Sequence, residues 1–438
     1  MDKKEIFRLL LEQLDQAHIV YARTESSSHD YCQDDGIADI IISIKDFKRI
    51  SYYIKEFSKE LNIIPIQKLR YDASACLFVL CYYNHRTKRL IDFKVNFQFN
   101  FKIKGRLYMS ADELLSNRIY INEEGKWMLN YSYYFIYHII MYIDKETFSQ
   151  KEFLSLLNCW INYRYGIAED LKKYFTEDSI KIISKSFDEK RIDYLSTNIA
   201  YLKGDLQLKV RKRVQDFIQN KVSQLKCMLK PAGLVVGILG RDGSGKSTFV
   251  SEVANALGTY FTSTTTFKKC PAIFYKKAIF NKNEGYDNSK PHLYSKRNSF
   301  QSFLKLTLLL TEFMLGYWIK VFPAKVKSHL ILYDRYFIDI LADPLRYRIK
   351  NNKLFIKIIH QILPKPDLWI ILDLPSHVLL QRKQELTYDK AEQLRYEYLK
   401  LQKILSNCIV INNEEEIEKT VDKAKGFIFN YMQQKVAV

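Results

Sequence analysis

Glycine and proline are scarce in this 438-residue chain, at 14 and 9 residues. That scarcity excludes collagen-like, low-complexity and Pro/Gly-rich disordered sequences. With 47% apolar residues the chain can bury sizeable cores, enough for two or three domains. Cysteine patterning is missing too. The seven cysteines (Cys32, Cys76, Cys81, Cys159, Cys227, Cys270, Cys408) are odd in number, scattered and never in C-x-x-C spacing. This argues against a disulfide frame or a zinc site, and for reduced thiols in a cytoplasmic protein. The N-terminus, MDKKEIFRLLLEQLDQ, is charged and amphipathic and not signal-like. No long apolar run is free of charge. The most apolar window, Phe303–Phe322, contains Lys305, Glu312 and Lys320 and predicts a buried amphipathic helix in preference to a membrane span. Acidic residues are in deficit, 49 against 68 Lys and Arg, for a net charge of +19. Such a balance fits polyanionic partners: nucleotides, nucleic acid or a membrane surface. It equally fits a lysine-rich compositional bias without functional meaning.

What the sequence does contain is Gly237-Ile-Leu-Gly-Arg-Asp-Gly-Ser-Gly-Lys-Ser-Thr248, with the full phosphate-loop spacing Gly240-x4-Gly245-Lys246-Ser247. An apolar run, Leu234–Leu239, leads into it and a helix-compatible run, Ser247–Leu257, follows. In such a strand–loop–helix setting, glycines let backbone N–H groups wrap phosphate oxygens and the helix N-terminus adds positive potential. Gly240, Asp242, Gly243, Ser244, Gly245, Lys246, Ser247 and Thr248 are therefore the expected nucleotide contacts. Lys246 is expected on the outer phosphates of a nucleoside triphosphate and the Ser247 hydroxyl on Mg2+.

Downstream, strands fit Tyr260–Phe267, His329–Asp334, Asp367–Leu374 and Cys408–Asn412, and helices fit Ser299–Phe322, Leu354–Leu363, Ser376–Ser406 and Glu414–Gln433. A polar, basic loop fills Lys268–Lys296. The alternation predicts a doubly wound parallel sheet with its ligand at the carboxyl ends of the strands. The phosphate loop, Asp334 and Asp373 all fall at such ends.

Upstream, Lys3–Gln16 and Asp46–Leu61 read as helices, and His18–Arg23, Ile37–Ile44, Ala75–Tyr83 and Leu90–Phe99 as strands, with a hairpin near Asn84–Lys88. Asp112 to about Asn198 reads mainly helical, with His138 as a packed core residue. Leu208–Leu229 reads as a basic amphipathic helix, more a connecting helix than a membrane-surface one, ended by Pro231-Ala-Gly233. The expected domains are 1–117, 118–232 and 233–438.

With Asp39 on Gly36-Ile-Ala-Asp-Ile-Ile-Ile-Ser43 and Asp92 on Arg89-Leu-Ile-Asp-Phe93, the α+β region Lys3–Asn117 resembles the nucleotidyltransferase superfamily. It departs from that family's Asp-x-Asp strand, because Ile37 and Ile41 occupy the positions two away from Asp39. The resemblance thus implies a domain that has lost catalysis. The stronger likeness is in Gly233–Val438. The loop with Asp242 before its second glycine, Tyr333-Asp334-Arg335-Tyr336, Pro366-Asp367-Leu-Trp-Ile-Ile-Leu-Asp373-Leu-Pro375 and then Arg382 together resemble the thymidylate kinase superfamily. The run from Asp343-Pro-Leu-Arg-Tyr-Arg348 to Arg382-Lys-Gln-Glu385 is similar to a thymidylate-kinase-like branch with added N-terminal domains.

The resemblance implies ATP and Mg2+ as cofactors and phosphoryl transfer to a phosphorylated small-molecule acceptor. Lys246, Asp334, Arg335 and Arg382 would be catalytic, and Ser247 and Asp334 would serve the metal. Asp242, Arg335, Tyr336, Arg346 and Arg348 would hold the acceptor. Other readings stay open: Asp334-Arg335 as a strand-end ion pair, Asp242 as a turn-former, Arg382 and Lys383 as a solvated helix face, and Asp373 as a cap. The family's Arg-Glu-Pro-Gly-type acceptor segment is absent, since Ser263-Thr-Thr-Thr-Phe-Lys268-Lys-Cys-Pro271 stands there. Thymidine monophosphate is therefore not singled out. The alternatives are a nucleotide-gated module for nucleic acid or an anionic membrane, and a bifunctional nucleotidyltransferase/kinase. The reading leaves a homodimer open.

Overall fold

The computed structural model describes residues 1–24, 37–69, 74–84, 89–103, 106–122, 125–209, 222, 225, 228–271, 273, 298–350, 353–382 and 386–437. The expected hairpin tip after Asn84, most of the basic helix after Leu208, most of the 268–296 loop, and Lys383 lie outside them. The chain divides into two compact units, Met1–Cys227 and Met228–Val438.

In the first unit, α1 (Lys3–Gln16) and α2 (Ile44–Glu60) start on side-chain caps, Asp2 accepting from Glu5 N and Ser43 from Asp46 N. Such caps satisfy amide groups that a helix start leaves without a partner. Both helices bury one apolar stripe each, Ile6, Leu10 and Leu14 on α1 and Phe47, Ile50, Ile54 and Phe57 on α2. The stripes join a core with the strands β1 (Tyr21–Arg23), β2 (Ile37–Ile42), β3 (Ile63–Leu69), β4 (Ala75–Asn84) and β5 (Arg89–Gln98). A short hairpin, β6 (Phe101–Ile103) and β7 (Arg106–Met109), and α3 (Ala111–Ser116) follow.

The seven-stranded sheet, in order β3-β4-β5-β2-β1-β9-β8, is completed by β8 (Arg118–Ile121) and β9 (Lys126–Leu129). This corrects the expected break at 117. The segment 118–129 was read with the helical region, but it closes the sheet edge instead. The helices α4 (Tyr131–Lys145), α5 (Gln150–Leu171), α6 (Glu177–Asp188), α7 (Ile192–Thr197) and α8 (Ile199–Lys209) share one core with Ala22, Ile41 and Leu129 of the sheet. His138 is buried in α4 with its Nε2 2.7 Å from the Thr24 carbonyl.

Strand register separates Asp39 from Asp92. The residue opposite Asp39 on β5 is Asn96, whose amide donates to Asp39 Oδ1 at 2.6 Å. Asp92 lies four residues back along β5, about 13 Å at roughly 3.3 Å per residue, where it pairs with Lys3 at 3.6 Å. A two-metal site needs its carboxylates together. Among the described residues no group of three or more His, Cys, Asp or Glu side chains is placed to hold a metal.

Burial raises the Asp39 carboxyl to about 6, against the hydrogen bond from Asn96 and the charge of Lys145, which lower it. The native state therefore keeps a proton that the unfolded chain releases at lower pH. This contribution to stability is full below the ordinary carboxyl pKa of 3.8 and is lost as pH rises through about 6. Asp39→Asn is expected to raise the melting temperature at about pH 8 and to leave it unchanged at about pH 4. Thermal melts at the two pH values check this.

The second unit is a five-stranded, all-parallel sheet in the order β11-β12-β10-β13-β14. Its strands are β10 (Leu234–Leu239), β11 (Ser263–Phe267), β12 (His329–Asp334), β13 (Leu368–Asp373) and β14 (Cys408–Asn412). The helices are α9 (Lys246–Leu257), α10 (Ser299–Gly316), α11 (Phe322–Val326), α12 (Asp339–Ala342), α13 (Lys353–Ile362), α14 (Ser376–Arg382), α15 (Tyr388–Leu401) and α16 (Ile417–Ala437). A π-helical segment, Tyr317–Val321, joins α10 to α11. The single helix expected over Ser376–Ser406 is thus two, α14 and α15.

The alternation of a strand explains the layers. Val235 and Leu239 of β10 face a core built with Leu306, Phe313, Ile356 and Tyr398, while α9 packs on α16, where the Tyr260 and Phe429 rings lie 5.1 Å apart. Central β10 is buried throughout. From β10 the chain winds first toward β12 and β11, then reverses to β13 and β14. That reversal opens a crevice at the carboxyl ends of β10 and β12.

Candidate functional site

The turn after β10 can only be made by glycine at two points. Gly240 has φ +150° and a Cβ there would sit 2.7 Å from the Leu372 carbonyl. Gly245 has φ +82° and a Cβ would lie 2.6 Å from Asn413 Nδ2. Both have a backbone that side-chain-bearing residues avoid, and at Gly240 the neighbour is a backbone carbonyl that cannot retreat. The loop is pinned from outside. Arg241 is buried and donates to Ser376 Oγ at 2.7 Å, to the Ala391 carbonyl at 2.8 Å and to the Leu374 carbonyl. Asn413, just beyond β14, donates to the Ser244 carbonyl at 2.6 Å. Lys246 opens α9, and its ammonium donates to the Arg241 carbonyl at 2.6 Å. The Ser247 hydroxyl donates to Asp334 Oδ2 at 2.8 Å, tying the loop to the end of β12.

Arg335, one residue on, turns with φ +82°. Its amide donates to the Ile238 carbonyl at 3.0 Å, so the turn is anchored to β10. Its guanidinium is 4% exposed and bridges two aspartates, Asp242 at 2.6 Å and Asp339 at 2.7 Å. Asp339 is fully buried (0% exposed) and accepts also from the Tyr398 hydroxyl at 2.7 Å and the Tyr347 hydroxyl at 2.9 Å. A planar fork held at several points has one orientation, and Arg335 borders the cleft in that orientation. Arg346 pairs with the other oxygen of Asp242.

Of these, Asp242, Gly245, Lys246, Ser247, Asp334, Arg335 and Arg346 line one cleft of about 320 Å3, together with Gly243, Thr248, Lys268 and Lys269. Five basic side chains (Lys246, Lys268, Lys269, Arg335, Arg346) face two acidic ones (Asp242, Asp334) there, an excess of three positive charges. Burial, with Arg335 nearby, lowers the pKa of Lys269. The cleft is built for anions with more than one charge.

Of the expected residues, Asp242, Gly243, Gly245, Lys246, Ser247, Thr248, Asp334, Arg335 and Arg346 line this cleft. Gly240 and Ser244 shape the loop behind it. Arg382 ends α14, exposed at the rim, with Nη1 3.9 Å from where a Gly245 Cβ would be. Two expectations are corrected. Tyr336 is 4% exposed, packed against Tyr333, Phe313 and Trp369, with its hydroxyl donating to the Pro364 carbonyl, so it is a core residue. Arg348, half-buried with φ +53°, does not line the cleft. Asp373 is held by Arg395, which donates to both of its oxygens at 2.8 and 2.6 Å.

The sequence reading missed Lys268 and Lys269, Asp339, Tyr347, Tyr398 and Asn413. The two lysines directly follow β11, and that position beside a strand's carboxyl end was the available signal. Magnesium fits the site. Asp334 Oδ1 is buried without a hydrogen-bond partner and Oδ2 meets the Ser247 hydroxyl. An ion here would rest on Ser247, Asp334, nucleotide phosphate and water.

No family model matches the chain, and no curated protein matches it. Among solved structures, one that it is similar to is thymidylate kinase from Ehrlichia chaffeensis, at 16% identity and a TM-score of 0.32, covering 45% of this chain and 98% of that one.

Proposed function

We propose that the second unit transfers the terminal phosphoryl group of ATP to a phosphorylated small molecule, a nucleoside monophosphate or a related phosphorylated metabolite. The observation that carries this is one cleft that brings four cations, Arg335, Arg346, Lys268 and Lys269, beside the glycine loop with Lys246 and Ser247. We assign the loop to the donor half of the cleft and the four cations to the acceptor half. Hydrolysis alone can use one arginine on the transferring phosphoryl group; four cations exceed that need and suit the phosphate of an acceptor.

In this reading the loop amides and Lys246 hold the outer phosphates, and Ser247 and Asp334 would hold a Mg2+ ion that supplies charge neutralisation there. Arg335 holds the acceptor phosphate in line. An acceptor phosphate oxygen forms a bond to the γ-phosphorus as the bond to the β–γ bridging oxygen breaks, leaving ADP. An acceptor phosphate dianion has no proton to lose.

A thermal-shift panel of nucleoside monophosphates and sugar phosphates, each with and without ATP and Mg2+, tests the reading. A true acceptor at about 100 times its Kd adds about 2.7 kcal/mol of stability. Stabilisation by ATP alone, with no addition from any phosphorylated acceptor, overturns the proposal.

A further inference from the structure

The span Ser299–Val326 is long and apolar enough to cross a membrane by length and composition, yet only 33% of its most apolar window is buried. The inward stripe, Leu306, Leu309, Phe313 and Val321, packs into the core beneath the sheet. The opposite stripe faces solvent: Phe300 (75% exposed), Leu304, Leu308 and Leu315, then Trp318 (56%) and Ile319. Helix α13 lies alongside, with Phe303 and Phe355 stacked at 5.4 Å, and adds Leu354, Ile358 and Ile362, each four residues from the last and all exposed. The expectation of a buried helix holds for one face only.

The exposed charge of these two segments themselves has one sign, although Lys353 also pairs with Glu397 of α15 at 3.8 Å. Lys320, Lys327, Lys353 and Lys357 are exposed on the same two segments. Across 298–327 and 353–366 the sole acidic residue is Glu312, which is buried and accepts from the Ile273 amide.

We propose that this face docks on an anionic lipid bilayer, lying in the interface and not spanning it. An exposed apolar strip edged by lysines is the pattern of an interfacial helix, with the strip entering the acyl boundary and the ammonium groups meeting lipid phosphates. A second copy of the chain is a poorer occupant, since a two-fold contact through this face sets one lysine rim against another. Nucleic acid would meet the lysines but leave the apolar strip against a hydrated backbone.

The test is co-sedimentation of the full chain with vesicles of phosphatidylcholine alone and of equal parts phosphatidylcholine and phosphatidylglycerol. Trp318 emission serves as a second readout, Trp318 being the most exposed of the four tryptophans. Binding to the anionic vesicles that salt weakens, with a blue shift of emission, is expected. The double variant Trp318→Ser/Ile319→Ser should lower partitioning about tenfold or more. Should that variant fold poorly, Lys320→Ser/Lys327→Ser/Lys353→Ser/Lys357→Ser should lower it comparably on anionic vesicles. Absence of binding to either vesicle overturns the proposal. So does a dimer in solution that the Trp318→Ser/Ile319→Ser change dissociates without affecting vesicle binding. Neither result bears on phosphoryl transfer, because no residue changed belongs to the cleft.

Discussion

Lys246→Ala is expected to lower turnover of ATP about a thousandfold, the scale of losing one cation that neutralises a transferring phosphoryl group. The side chain is buried at the first turn of α9, with its ammonium beside the loop that Gly240 and Gly245 shape. Its removal takes charge out of the cleft without opening the core, since Phe249, Val250 and Val253 hold α9 in place. Far-ultraviolet circular dichroism should therefore match the parent. Lys246→Arg should not restore activity, because a planar fork does not fit where a single ammonium sits against the Arg241 carbonyl. Steady-state kinetics with ATP and Mg2+ check both variants.

The second large effect is on stability. Arg335→Ala leaves Asp339 buried with two tyrosine hydroxyls and no cation. Removing one partner of a buried ion pair costs about 3–5 kcal/mol, because the remaining charge has no compensation. The double variant Arg335→Ala/Asp339→Asn should recover a large part of that loss while staying inactive, since the acceptor half of the cleft still lacks its fork. Urea unfolding of the two variants and the parent separates the structural cost from the chemical one. Equal stability of the single variant and the parent would mean that Asp339 is not held as described.

How much of this was legible beforehand depended on how local the determinant is. The phosphate loop was readable because glycine spacing, the apolar lead-in and the helix after it are adjacent in the chain, and β10 and β14 fall at the residues their apolar runs mark. Asp334 and Arg335 were singled out by the motif resemblance of Tyr333-Asp334-Arg335-Tyr336, which closes an apolar strand.

Partnerships across the sheet were not readable. That Asp39 meets Asn96 and not Asp92 follows from the register of β2 on β5, which no single segment encodes. Tyr336 follows Arg335 directly, yet the turn sends one side chain to the cleft and the other among Tyr333, Phe313 and Trp369. Lys268 and Lys269 sit in the cleft because β11 pairs with β12 and carries its end there. The helix at Ser299 was read by hydrophobicity, which registers an apolar stripe but not which of two stripes the sheet covers.

The central claim is that the two cationic halves of one cleft serve donor and acceptor phosphates. Transfer of label from the terminal phosphate of ATP tests it most directly, with Mg2+ and the acceptor singled out by thermal shift. Label is expected on the acceptor and lost in both Lys246→Ala and Arg346→Ala, with ATP binding retained in the second. Label released only as inorganic phosphate, at a rate that no phosphorylated acceptor changes, would contradict it.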